Sequence, residues 1–354
     1  MDIEVQGRKI GLKHPTYFIA DVAANHDGDL KRAIELIRLA KLAGADAAKF
    51  QNFRAPKIVS NYGFKTLGER LSHQAKWKKS VYEVYEDASI PFEWTPTLKE
   101  ACDEFDIHYF SSPYDYEAIE MLDTYVPAYK AGSSLISWPQ AIVRMAEYGK
   151  PILIATGDSE MSDVERVMDM VMPVNGQIVL MQCNTNYTAS QSNYDHLHLN
   201  VLKTYAAKWP GVILGLSDHT QSAAPVVGAV ALGARIIERH FTDDNDREGP
   251  DHKFALNPEN WAHMVEEVRI LERSLGSAEK HVADNEKETY IVQRHCLRVA
   301  RDVKAGETFT EDMLEVLRPA TPGALMAWDI PMVIGKKAAV DMPYGKDLRL
   351  SDLK

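Results

Sequence analysis

A (β/α)8 barrel followed by a small second domain is the fold this chain predicts, on three observations. Eight short apolar runs alternate with helix-length amphipathic segments across residues 14–276, close to the roughly 250 residues such a barrel needs. The ends of those runs are polar, as the working face of a barrel requires. After Gly276 the composition becomes charged and the alternation stops.

Residues 1–13 read as a polar hairpin capping the barrel's N-terminal end. The first barrel strand is YFIADVA (17–23), and DLKRAIELIRLAKLAGA follows with apolar residues at i, i+3 and i+4 and Gly44 as a C-cap. DAAKFQ is the second strand. The remaining six are IHYFSS (107–112), PAYKAG (127–132), PILIAT (151–156), IVLMQCN (178–184), VILGLS (212–217) and ARIIERHF (234–241). Helical patterns lie at about 115–124, 138–148, 161–172, 197–208 and 221–233, and PENWAHMVEEVRILERSLG ends at Gly276. A doubly wound sheet would want G-x-G-x-x-G after the first strand, which ANHDGD does not supply. Residues 277–293 read as a solvated linker or exposed helix, and 294–354 as a compact domain of short β-like runs (CLRVARDV, LEVLRPA, AAVDM) broken at Ala305-Gly306, Pro322-Gly323 and Tyr344-Gly345.

A length of 354 residues with 45% hydrophobic content supports a large core. The net charge of −11 argues against nucleic acid or an anionic membrane as partner, so an anionic ligand must be held by local lysines. Cys102, Cys183 and Cys296 stand far apart and fit no disulfide framework or metal knuckle. No signal-like apolar segment and no spanning run is present, and a cytoplasmic protein is expected.

Two runs carry most of the chemistry: GLSDHT, with His219, and ERHF, with His240. Each histidine stands where a buried strand should stop, with Asp218, Glu238 and Asp251 near in sequence to orient a ring nitrogen. Singly, each reads as well as a hydrogen-bonding group in a polar rim. Together, on adjacent strand ends, they predict a shared divalent ion. Lys49 and Lys130 lie within apolar strands, where an ammonium needs compensation. Either barrel carboxylates pair them, or they grip a phosphate or phosphate ester alongside the hydroxyls of Ser133, Thr156, Thr185 and Ser217. A phosphate ester beside a divalent ion points to carbonyl polarisation or water activation.

FIADVAANHDGDL, GADAAKFQ, FSSPYD, PAYKAGS, ILIATG, GLSDHT, GAVALGA and ERHFTDDNDREGPDH resemble the motif series of the N-acetylneuraminate (sialic acid) synthase family, which includes legionaminate and pseudaminate synthases. ARDVKAGETFTEDML, LRPATPG and VIGKKAAVDMPYG resemble that family's C-terminal antifreeze-like (SAF) domain. The resemblance implies condensation of phosphoenolpyruvate with an open-chain N-acyl sugar to a nine-carbon 2-keto-3-deoxy acid and phosphate. It implies a divalent cofactor, Mn2+ foremost with Mg2+ or Co2+ as alternatives, on His219 and His240. Lys49, Lys130, Ser133 and Ser217 would hold phosphoenolpyruvate with Thr156 and Thr185, and Gln51 and Tyr187 would line the same cavity. Asp21 stands where the family usually has a glutamate, one methylene longer, that contacts sugar or water. Asp251 would bind sugar hydroxyls, or serve only as an Asx-type turn residue. Arg318 would reach the other subunit's site in a domain-swapped homodimer.

One departure bears on the acceptor. Where the family commonly carries an acidic residue after its fourth strand, this chain reads Ser133-Ser134-Leu135. A leucine accepts no hydrogen bond, so the expected sugar is less polar than N-acetylmannosamine, for instance a 6-deoxy di-N-acyl hexose. Two rival readings are a metal-dependent barrel hydrolase and a non-catalytic sugar-binding homologue.

Overall fold

The computed structural model describes residues 2–67, 74 and 77–354. The chain divides into two compact units, one ending at Gly276 and one running from Ser277 to Lys354.

The first unit opens with β1 (Ile3–Val5) and β2 (Arg8–Ile10), antiparallel around Gln6 and Gly7, whose φ values of 47° and 83° suit a two-residue turn. The hairpin is less polar than its sequence suggests. Ile3, Val5 and Ile10 are buried in one cluster with Tyr17, Ile19, Phe110, Leu153, Val179, Met181, Ile213 and Ile236, closing the barrel bore from its N-terminal end.

The barrel strands are β3 (Tyr17–Asp21), β4 (Ala47–Asn52), β5 (His108–Pro113), β6 (Tyr129–Ala131), β7 (Ile152–Ala155), β8 (Ile178–Cys183), β9 (Ile213–Asp218) and β10 (Ala234–His240). All eight predicted strands are present, in the order β5-β4-β3-β10-β9-β8-β7-β6 with every pair parallel. β5 and β6 lie side by side and complete the ring, though no hydrogen-bonded ladder joins them among the described residues. β6 is only three residues long, which leaves little edge to pair.

Period-two alternation then decides what enters the bore. On β3, Tyr17 and Ile19 belong to the bore cluster, while Phe18 and Ala20 pack outward beneath the helices. The same parity continues to Asp21, and on β4 from Ala47 to Lys49, on β6 from Ala128 to Lys130, on β9 from Ile213 to Ser217, and on β10 from Ile236 to Glu238 and His240. The lower layers are therefore apolar and the upper layers polar. Gly215 keeps the layers in register: a Cβ there would meet Met181 Cγ at 2.8 Å and the Ile236 carbonyl oxygen at 2.9 Å.

The outer ring follows from amphipathic helices with fixed starts. Asp29 caps Leu30–Leu42 by accepting from the Lys31 and Arg32 N–H groups, and the helix buries Ala33, Leu36, Ile37 and Ala40. Asn257 caps Pro258–Leu275, which buries Trp261, Met264 and Val268. Between β4 and β5 the sequence suggested no helix, yet four are present among the described residues: Ala55–Ile58, Asn61–Thr66, Val81–Ala88 and Trp94–Glu104. The first two are too short to express a 3.6-residue period. In the last, Pro96 reads as a breaker but falls in the first turn, where proline is tolerated.

The second unit has its own core, including Leu297, Val299, Phe309, Met313, Val333 and Leu348. β11 (Cys296–Val299) and β12 (Leu314–Leu317) pair antiparallel, and single bridges such as Val303–Met342 and Ala338–Leu353 tie the rest. Within residues 277–293, Lys287–Val292 forms an exposed helix, one of the two readings the sequence offered. All three cysteines are free and buried. No described helix is long and apolar enough to cross a membrane.

Candidate active site

The upper end of the bore opens into a cavity of about 460 Å3. Eleven of the thirteen sequence-predicted site residues line it: Asp21, Lys49, Gln51, Lys130, Ser133, Thr185, Tyr187, Ser217, His219, His240 and Asp251.

Charge organises the floor. Lys49 Nζ lies 2.7 Å from Asp21 Oδ2, and Lys130 Nζ lies 3.3 Å from Glu238 Oε1. Glu238 Oε1 is also 3.9 Å from Lys49 Nζ and accepts from Ser217 Oγ at 3.3 Å, so it bridges both ammonium groups. All four charged side chains are almost fully buried. Burial opposes the Lys49 charge, but Asp21 and Glu238 outweigh it and hold its pKa above the ordinary lysine value. Asp21 further accepts from Gln51 Nε2 at 3.1 Å and, through Oδ1, from the Ala23 N–H. Glu238 was visible in sequence only as a carboxylate near a histidine. Its place two residues before His240 puts it on the same face of β10, a signal that would have assigned it to the floor.

The histidine rings sit above this floor with centroids 5.2 Å apart. His219 Nδ1 donates to the Asn184 carbonyl at 2.9 Å, which orients the ring, and Tyr187 packs edge-on to it at 4.6 Å. Phe254 packs against both imidazoles. Burial, aided by His219 and Lys49, pushes the His240 pKa well below the ordinary value and keeps that ring neutral. Burial opposes charge on His219 too, yet contact with Cys183 and the Asn184 carbonyl raises its pKa overall.

A divalent ion fits this donor set. His240 Nδ1 is buried with no hydrogen-bond partner among the described residues, and so is Glu238 Oε2. Asp21 Oδ2 lies 3.7 Å from His240 Nε2, and Asp251 Oδ2 lies 3.9 Å from His240 Nδ1. No three His, Cys, Asp or Glu side chains among the described residues converge as a complete ligand group, so water or substrate would have to supply the remaining positions.

Two expectations are corrected, those for Thr156 and Leu135. Thr156 does not face the cavity: its hydroxyl donates to the Met181 carbonyl at 3.0 Å and accepts from Tyr205 at 2.9 Å, on the helix side of the barrel wall. Leu135 is not a substrate contact, because it packs in the hydrophobic core while Ser133 and Ser134 line the cavity. Arg318 lies in the second unit, exposed, where it donates to Gln293. The sequence reading missed Tyr114 and Asp158, and it missed the apolar wall of Phe53, Ile58, Phe64 and Tyr85. That wall comes largely from the short helices after β4, which no sequence period announced.

The model of the NeuB family matches residues 36–280, and that of the SAF domain matches residues 294–354. The chain belongs to the NeuB family. It is 32% identical to mouse N-acetylneuraminate-9-phosphate synthase, covering 94% of this chain and 91% of the relative. It is 31% identical to the N,N'-diacetyllegionaminic acid synthase of Legionella pneumophila, over 96% and 94% of the two chains. Among solved structures it resembles the sialic acid synthetase of Leptospira borgpetersenii in complex with citrate, with a TM-score of 0.70, 25% identity and coverage of 82% and 95%. The chain is thus an acid synthase of the NeuB type with a C-terminal SAF domain.

Asp251 provides a pH-dependent prediction. Burial raises its carboxyl to about 6, with Asp21 adding to the rise and the Ala24 N–H opposing it. A carboxyl raised above its unfolded value is disfavoured when ionised, so the cost to the fold is absent below about pH 4 and complete above about pH 6. Asp251→Asn keeps an oxygen for the Ala24 N–H. It should be more stable than the parent at pH 7.5, by up to about 3 kcal/mol, and equal to it near pH 4. Urea unfolding at the two pH values measures the difference.

Proposed function

We propose that the protein condenses phosphoenolpyruvate with an open-chain N-acyl sugar to give a nine-carbon 2-keto-3-deoxy acid and inorganic phosphate. The observation that carries this reading is a pair of buried lysines, already neutralised by two carboxylates, beneath two imidazoles that can receive a cation. Asp21 and Glu238 cancel Lys49 and Lys130, so a polyanion entering alone would leave net negative charge in a buried site. A divalent ion on His219 and His240, Mn2+ foremost, would restore the balance and polarise the aldehyde oxygen. The family model and the acid synthases among the relatives support the same reaction and leave no observation favouring a hydrolase.

The protein's own groups then have separable tasks. Lys49 and Lys130 hold the carboxylate and phosphate of phosphoenolpyruvate, with Ser133 and Ser217 as directional donors. The enol carbon attacks the aldehyde carbon and forms the C–C bond, and the aldehyde oxygen takes up a proton. Water adds to the resulting cationic carbon, and its C–O bond to phosphate breaks. Asp21, bonded to Lys49 and Gln51, is placed to take the proton from that water. The apolar wall of Phe53, Ile58, Phe64 and Tyr85 suits acyl methyl groups or a 6-deoxy carbon of an N-acyl hexosamine or di-N-acyl hexose.

Phosphate release from phosphoenolpyruvate, assayed with a panel of N-acyl hexoses, tests the reaction. Release should require both a sugar and a divalent ion, stop with EDTA, and fall at least about 100-fold in kcat/KM for Lys130→Met. Sugar-independent release, or full activity in EDTA, would reject the reading.

We further propose, on the resemblance of the LRPATPG motif, a homodimer in which Arg318 of the SAF domain completes the partner subunit's cavity. Arg318→Ala and His219→Ala subunits, each inactive alone, should regain activity when refolded together. Persistent inactivity of the mixture would contradict action in trans.

A further inference from the structure

We propose that Asp158 is a specificity-determining residue whose carboxylate receives a hydroxyl or amide N–H of the acceptor sugar; the inference rests on the synthase reading above.

Asp158 follows β7 in the loop Thr156-Gly157-Asp158 and lines the same cavity as the lysines and histidines. Among the described residues, four carboxylates line that cavity. Asp21 is paired with Lys49, and Glu238 with Lys130. Asp251 accepts from the Ala24 N–H and approaches His240. Asp158 has no cationic partner among the described residues. Thr185 Oγ1 donates to its Oδ1 at 3.3 Å, and no described donor reaches Oδ2.

Two features of the backbone hold this carboxylate in place, and the residue is exposed on the cavity wall. Its φ is +45°, the left-handed region that glycine adopts freely and that most L side chains adopt only rarely. The preceding Gly157 lets the loop close tightly, since a Cβ there would collide with Thr185 Oγ1 and Ser133 Oγ, and its N–H donates to Ser133 at 3.1 Å. A carboxylate that lines the cavity, with one oxygen that no described donor reaches, is open to accept a hydrogen bond from a ligand.

The charge excludes one ligand and selects another. A carboxylate without a counter-ion repels the phosphate and carboxylate of phosphoenolpyruvate, so the group it suits is a neutral donor. The acceptor sugar supplies such donors. With Leu135 turned into the core, no acidic side chain comes from that position, and Asp158 provides one from the neighbouring strand end.

The test uses the full-length protein with Mn2+ and two acceptors, N-acetylmannosamine and a 6-deoxy di-N-acetyl hexose. Asp158→Ala should raise the KM of the preferred sugar by at least about 30-fold, with the KM of phosphoenolpyruvate within about 3-fold. Asp158→Asn, whose amide oxygen still accepts, should recover most of the loss. An unchanged sugar KM, or an equal rise for phosphoenolpyruvate, overturns the inference. Calorimetric titration of the same sugars separates it from the reaction itself. If the parent releases no phosphate but Asp158→Ala abolishes sugar binding, the synthase reading fails and Asp158 stands as the sugar's partner. Equal sugar binding by parent and variant overturns the inference whatever the activity.

Discussion

The structure depends on a buried set of opposed charges at the top of the barrel, Lys49 against Asp21 and Lys130 against Glu238. Taking four charges out of water is tolerable only because each ammonium has a carboxylate within ion-pair distance. Removing one member would leave its partner uncompensated, at a cost of about 3–5 kcal/mol. The same balance makes the site selective. With its lysines already neutralised, the cavity would take a further anion well only if more positive charge arrived, and the ion proposed on the paired histidines would supply it.

Strand parity is the constraint that delivers this arrangement. In the lower layers the bore is filled by side chains such as Tyr17, Ile19, Leu153, Val179 and Ile236, sealed below by Ile3, Val5 and Ile10 of the hairpin. Continuing each strand by two residues on the same face yields Asp21, Lys49, Lys130, Ser217 and Glu238 in place of apolar side chains. The packed lower layers hold these groups rigidly, so no side chain on the floor must reorganise far for a ligand to exchange one hydrogen bond for another. Phe254 and Tyr187 do the same for the imidazoles from above.

The strands and most of the site were legible because a barrel strand carries its information in period-two alternation and in polar residues at its C-terminal end. His219 and His240, Lys49 and Lys130 all stood out for that reason. Glu238 was legible in principle from its parity with His240. The wall after β4 was not, because its first helices are too short to show a period and their burial depends on the barrel beside them. Thr156 was misassigned because its hydroxyl, at the very end of a strand, turns to Tyr205 on the helix side. Leu135 was misread because a departure from a motif says which side chain is lost and not where the new one packs. Asp158 was hidden in a loop whose left-handed backbone no sequence pattern marks.

The most direct test of the account is a crystal structure of the protein with phosphoenolpyruvate and Mn2+. The account predicts the ion bound by His219 and His240, with the enol ester's anionic groups within hydrogen-bond distance of Lys49 Nζ and Lys130 Nζ. Phosphoenolpyruvate bound away from both lysines, or an ion that touches neither imidazole, would contradict it.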